Sequence, residues 1–224
     1  MTLDFDAFTL AAATADLDEE PDARAHADCV EFRMDLADSP SEQLAAYDGD
    51  LPLLVTNRAD WEGGEAADEG RLETLTEALA HDAVEAVDIE LATLEDGDGG
   101  DLLDRADAEG VSVVVSTHDF EKTPSKGRLQ SLLTRAGTYG DVAKLAVTAE
   151  DRTDTLALLS ATHELTERGQ RVATMAMGEA GSHTRAVAPV YGSKIGYAPV
   201  DPAKATAPGQ YDLATLRSLV DSLG

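Results

Sequence analysis

Eight short runs of β-type residues recur along the chain, and each is followed by a stretch of helical character. The runs lie at 8–14 (FTLAAAT), 29–35 (CVEFRMD), 51–58 (LPLLVTNR), 86–91 (AVDIEL), 112–120 (SVVVSTHDF), 142–148 (VAKLAVT), 172–178 (VATMAMG) and 190–197 (VYGSKIGY). Between them, apolar residues repeat at helical spacing. Leu72, Leu75 and Leu79 share one face, as do Leu158, Ala161 and Leu165, and again Leu213, Leu216, Val220 and Leu223. Thr123-Pro124 reads as an N-cap followed by a first-turn proline, and Thr148 with Asp151 as an acidic capping box. Such alternation predicts a single-domain (β/α)8 barrel over residues 1–224. The alternative is a doubly wound open sheet. No glycine-rich dinucleotide or Walker loop opens a helix to support it, and neither a linker nor a solenoid repeat is visible.

Composition narrows the class further. A hydrophobic fraction of 43% supports a packed core and argues against disorder. The 44 acidic residues outnumber the 17 basic ones, for a formal charge of −27. A field of that sign repels phosphate backbones and anionic membranes, so neither nucleic acid nor membrane is an expected partner. No run of about 18 apolar residues occurs. The N-terminus lacks the basic-then-apolar pattern of a signal peptide, which points to the cytoplasm. A lone Cys29 rules out an internal disulfide and a cysteine zinc cluster. The acidic residues are spread among Ala, Leu and Val like the solvent faces of amphipathic helices. With 5 lysines and the single Asn57, the chain reads as a cytosolic protein of a salt-loving microbe, whose surface repulsion molar salt screens. The acidic loop 95–101 hints at an EF-hand. Asp101 stands where the glycine is needed and Asp107 where the closing Glu is needed, so no calcium site is expected.

In a barrel, chemistry sits at the C-terminal ends of the strands. Collected there are Glu31, Arg33 and Asp35; Arg58 with Glu62-Gly63-Gly64; Asp88 and Glu90; His118; Lys144; Met175 and Met177; and, in the last region, Arg185 and Gln210. Glu31, Arg33 and Asp35 alternate, as do Asp88 and Glu90, so each set shares a strand face and is expected to look into the barrel. Charges on such a face are costly unless paired or functional. Lys144, between apolar neighbours, reads by itself as an edge-strand gatekeeper sooner than as a buried amine. A buried lysine is a usable nucleophile toward a carbonyl, with His118 as its proton shuttle.

Together these residues resemble type I 3-dehydroquinate dehydratase. The resemblance rests on EFRMD (31–35), TNRADWEGG (56–64), DIE (88–90), STHDF (116–120), Lys144 in AKLAV, MAMG (175–178), Arg185, YGS (191–193) and APGQ (207–210), in order along nearly the whole chain. It implies an imine on Lys144, proton transfers by His118, and Glu62 orienting that histidine. It implies Arg185 and Gln210 on the substrate carboxylate, and Arg58, Arg33 and Glu31 on the ring hydroxyls. Met175, Met177, Phe120 and Tyr197 would line the pocket, and 198–210 would form a lid that keeps water from the imine. No metal or cofactor is needed. The substrate would be 3-dehydroquinate, and the family suggests a homodimer. Thr206 stands where the family has Ser, with a hydroxyl that can serve alike. Asn57 replaces a Cys without evident consequence, and the N-terminal hairpin that often closes the barrel floor is missing or reduced. His183 falls near the rim; His26, His81 and His163 read as surface or helix-end residues.

Two other readings stand beside it. A class I aldolase-like enzyme would use the same lysine and histidine, but the polar set suits a compact carboxylated polyol better. A non-catalytic acidic barrel would leave the ionisable strand ends unexplained.

Overall fold

The computed structural model describes residues 3–201, 203 and 209–224. Among these, eight strands form one parallel sheet: β1 Thr9–Thr14, β2 Cys29–Arg33, β3 Leu53–Thr56, β4 Val84–Glu90, β5 Ser112–Asp119, β6 Val142–Thr148, β7 Val172–Met177 and β8 Ile195–Pro199. Nine α-helical segments lie among them: α1 Glu20–Ala23, α2 Pro40–Ala46, α3 Arg71–Ala78, α4 Leu91–Glu95, α5 Gly100–Glu109, α6 Lys126–Ala136, α7 Arg152–Thr166, α8 Thr184–Val187 and α9 Leu213–Leu223. The hydrogen-bonded order runs β7-β6-β5-β4-β3-β2-β1-β8. Its two ends meet at the segment before β8. The Lys194 amide donates to the Val172 carbonyl (2.7 Å), and the Thr174 amide to Ser193 Oγ (3.0 Å). The sheet thus curls into the expected (β/α)8 barrel.

Strand alternation builds two cores. Outward positions such as Phe32, Val55, Ile89, Val115 and Leu145 pack against Leu75, Leu102, Leu129, Leu133 and Leu158 of the helices. Each fully buried side chain of this size is worth about 1.5–3 kcal/mol. Inward positions start apolar, with Ala11, Cys29, Leu54, Ala86, Val114 and Val142. One alternation further along, the same inward face turns polar, to Glu31, Thr56, Asp88, Ser116 and Lys144, all buried. Among the described residues no strand precedes β1, and Leu3 (8% exposed) and Phe5 (1%) fill the lower end. The Leu3 amide donates to Glu85 Oε2 (2.7 Å) and its carbonyl accepts from Ser112 Oγ (2.7 Å), tying the segment to the starts of β4 and β5.

Four local expectations are corrected. The eighth run is displaced: Ala188–Tyr191 forms a 3-10 turn, and the strand begins at Ile195. Thr123-Pro124 does not start α6, whose N-cap is Ser125; Thr123 Oγ1 instead donates to the Thr148 carbonyl (2.8 Å). Asp151 caps α7 alone, while Thr148 ends β6. Leu223, placed on the apolar face of the last helix, is exposed.

Candidate active site

Lys144 lies on β6, flanked by β5 and β7, which excludes the edge-strand reading. Its side chain is 5% exposed, and Nζ donates to Asp88 Oδ2 at 2.9 Å. Glu31 Oε1 is 3.8 Å away, and the Tyr197 ring centroid lies 4.2 Å from Nζ. Asp88 in turn accepts from Arg58 Nη2 (2.6 Å) and Ser116 Oγ (2.7 Å). Arg58 and Lys144 outweigh the effect of burial and hold the Asp88 carboxyl well below the usual range. Arg58 also donates to Glu90 Oε1 (2.9 Å), and this acidic shell pushes its guanidinium up. The charged strand faces are therefore paired, as burial demands. Asp35 departs from expectation: it lies in a 3-10 turn after β2 and holds Arg33 in a bidentate pair (2.9 and 2.7 Å).

His118 enters from β5. Glu62 Oε1 accepts from both its Nδ1 and its backbone amide, each at 2.9 Å. Glu62 reaches there from a tight turn after β3. Gly63 adopts φ 81°, and a Cβ on Gly64 would come 2.0 Å from the Arg58 carbonyl oxygen. Only glycine fits at 64. Burial pushes the Glu62 carboxyl up to about 7, against the pull of Arg58. Burial, with Arg58 and Lys144 adding to it, drives His118 well below its ordinary value, so the ring is neutral at neutral pH. With Nδ1–H given to Glu62, Nε2 keeps a free lone pair, the arrangement of a general base.

Arg185, on α8, is the odd cation. It is 5% exposed, its Nε has no partner, and no carboxylate ion-pairs with it among the described residues. Burial lowers it to about 10, so it stays charged at neutral pH. A buried guanidinium without a counter-ion is a seat for an anion.

Twelve of the expected site residues line one cavity of about 340 Å³ at the C-terminal mouth: Glu31, Arg33, Arg58, Glu62, His118, Phe120, Lys144, Met175, Met177, Arg185, Tyr197 and Gln210. Thr206 and five more of the thirteen residues of the expected 198–210 lid lie outside the described residues. Phe120 is a rim residue rather than a buried wall: it is 51% exposed, with its ring stacked on His118 (centroids 5.7 Å, planes 9° apart). His183 is exposed and does not line the cavity. A larger groove of about 720 Å³ lies between α3 and α5. It carries Glu73, Glu77, Asp98 and Asp101 against Arg105, a lining that repels anions. Asp88 was legible as a strand-face charge, but its contact with Lys144 was not. Arg71 left no signal at all.

The family model for type I 3-dehydroquinase matches residues 8–224. The chain belongs to the type I 3-dehydroquinase family. A 3-dehydroquinate dehydratase of Haloarcula marismortui is 64% identical, covering 99% of this chain and 98% of that one. One of Halobacterium salinarum is 52% identical, covering 99% and 100%. Both sources are halophilic archaea, the class expected from the acidic, lysine-poor composition. Two bacterial crystal structures share the fold. The enzyme of Geobacillus kaustophilus has a TM-score of 0.86 at 28% identity, covering 97% of this chain and 91% of that one. A type I enzyme of Clostridium difficile, with covalently modified comenic acid, has 0.86 at 27%, covering 97% and 92%.

Proposed function

We propose that this chain is a lyase of the shikimate pathway that dehydrates 3-dehydroquinate to 3-dehydroshikimate through an imine on Lys144. The amine adds to the substrate ketone and expels water, giving an iminium that acidifies the neighbouring C–H. His118, held by Glu62, removes that proton. The β-hydroxyl then leaves, taking a proton from His118, and departs as a second water. Hydrolysis of the conjugated imine consumes one water and frees Lys144, so the net change is loss of one water. A positioned general base contributes about 10²–10⁴-fold. Arg185 and Gln210 take the carboxylate; Arg33, Arg58 and Glu31 face the ring hydroxyls, with Thr206 assigned to the same task. Met175, Met177, Phe120 and Tyr197 bound the pocket.

The observation that carries this reading is Arg185, an unbalanced buried cation sharing one cavity with a buried lysine. Together they suit a ligand with a carboxylate on one side and a carbonyl on the other. In molar salt, 3-dehydroquinate and borohydride are expected to leave a covalent mass on Lys144, and Lys144→Ala should be inactive. Full turnover by Lys144→Ala would refute the imine. Arg185→Ala should raise KM sharply with the fold intact; an unchanged KM would remove it from the carboxylate seat.

The same reading makes residues 1–224 a single catalytic domain working in the cytoplasm; among the described residues no helix is long and apolar enough to cross a membrane. It also makes the enzyme a homodimer. Exposed Leu156, Val190 and Tyr191, on and beside α7, support a contact face. Sedimentation equilibrium in molar salt tests this, and a monomer mass at all concentrations would overturn it.

A further inference from the structure

We propose that Arg71 is a positioning residue for this reaction, clamping from outside the cavity the turn that carries both Arg58 and Glu62. The inference rests on the function just proposed. Arg71 opens α3, 4% exposed, and does not line the cavity. A cation in the first turn of a helix is opposed by the helix dipole, so local helix energetics do not explain it. Its contacts do. Nη1 donates to Glu90 Oε2 (2.8 Å) and to the Asn57 carbonyl (3.2 Å), and Nη2 donates to Thr93 Oγ1 (3.1 Å). Asn57 Nδ2 returns a bond to the Arg71 carbonyl (3.1 Å), which gives the replacement at Asn57 a task.

Glu90 completes the clamp. Its Oε1 accepts from the Ala59 amide (3.1 Å) and from Arg58 Nη1 (2.9 Å). The backbone is thus held at residue 57 by Arg71 and at residue 59 by Glu90, immediately on either side of Arg58. The same turn then presents Glu62: the Ala59 carbonyl accepts from the Glu62 amide (3.1 Å) and the Gly64 amide (2.9 Å). Charges alternate along the chain of contacts Arg71, Glu90, Arg58, Asp88, Lys144. Without Arg71, Glu90 has Arg58 as its remaining ion-pair partner and draws it from Asp88. Both arms of the catalytic set, the Asp88 shell of Lys144 and the Glu62 seat of His118, shift together.

Through Glu90 and the turn at 57–59, Arg71 acts on Glu62 and Arg58 and not on the Arg185 seat, so its loss should fall more on the chemical step than on substrate binding. Arg71→Met is expected to lower kcat by about tenfold or more while KM rises less than about threefold, since small misplacements of catalytic groups are costly. Arg71→Lys keeps the charge but not the fork. It is expected to fold as wild type and to recover part, not all, of kcat. Should Arg71→Met fail to fold, Arg71→Lys decides: a kcat reduced by about threefold or more at unchanged circular dichroism and KM supports the clamp. A kcat within about twofold of wild type in a folded variant overturns it. So does a loss that only tracks the folded fraction, or one that appears in KM alone. Failure of wild type to turn over 3-dehydroquinate or to form the Lys144 adduct would instead sink the underlying function.

Discussion

At the scale of single residues, the site is a set of charges whose burial is tolerated because each but one has a partner. Glu62 and Asp88 show the two directions. The folded protein holds the Glu62 proton up to about pH 7, against an ordinary value of 4.5, so ionising it between those limits lowers stability. Asp88 is depressed; its contribution is present above the ordinary carboxylate range and is lost as pH falls below it. The ionised Glu62 is the form that accepts Nδ1–H of His118. Activity should therefore fall on the acid side with a midpoint near 7. Glu62→Gln should lower kcat by about tenfold, equivalent to about 1.4 kcal/mol, and abolish that midpoint. A pH–rate profile that keeps its acid limb in the variant would rule Glu62 out as its source. Lys144 and His118 were legible as ionisable residues at strand ends, and Glu62 through the family resemblance that the order of these residues carries. Arg71 was not: an arginine at a helix start in an acidic stretch looks like a solvated residue until Glu90 is brought beside it.

At the scale of elements, most strands fall where alternation and β-branched content put them, and the exceptions have local causes. Val190 and Tyr191 favour strand by type. Pro189 precedes them, and Gly192 follows at φ 98°, where a Cβ would collide with Thr166 at 2.4 Å. The chain turns there so that β8 can begin at the barrel floor beside β1. Thr123 reads as a cap, but its hydroxyl ties the loop after β5 to the end of β6. Asp151 is a real cap, accepting from the amides of Thr153 and Asp154 (2.7 and 3.2 Å). Asp151→Ala should lower Tm by about 2–4 °C, and Asp151→Ser should recover most of it. Because capping is a hydrogen bond, the loss should persist in molar salt. Its disappearance there, followed by circular dichroism, would show a purely charge-based effect.

At the scale of the molecule, a charge of −27 surrounds a mouth that gathers several cations, one of them without an ion-pair partner among the described residues. Arg33, Arg58, Lys144 and Arg185 are four of the 17 basic residues, and all line the same cavity. The surface field opposes an anionic substrate, while Arg185, the one without an ion-pair partner among the described residues, draws it at short range. Raising salt from about 0.1 M to about 1 M shortens the screening length from about 10 Å to about 3 Å. The long-range repulsion then fades more than the contacts inside the cavity. The expected result is a kcat/KM that rises with salt, alongside a rise in Tm from relieved self-repulsion. A steady fall in kcat/KM with the fold retained throughout would contradict this.

The sequence by itself determined the alternation of strands and helices, the inward or outward side of most strand residues, and which ionisable residue types stand at the strand ends. All of these follow from period-two alternation, residue order and side-chain type, which are local or one-dimensional properties. Only the tertiary structure decided which charges pair. Residues far apart in sequence, such as Lys144 and Asp88 or Arg71 and Glu90, meet because neighbouring strands and the loops above them are set by barrel closure. The unpartnered state of Arg185, the closing of the floor by Leu3 and Phe5, and the clamp around Arg58 are likewise consequences of where the chain is brought together in space.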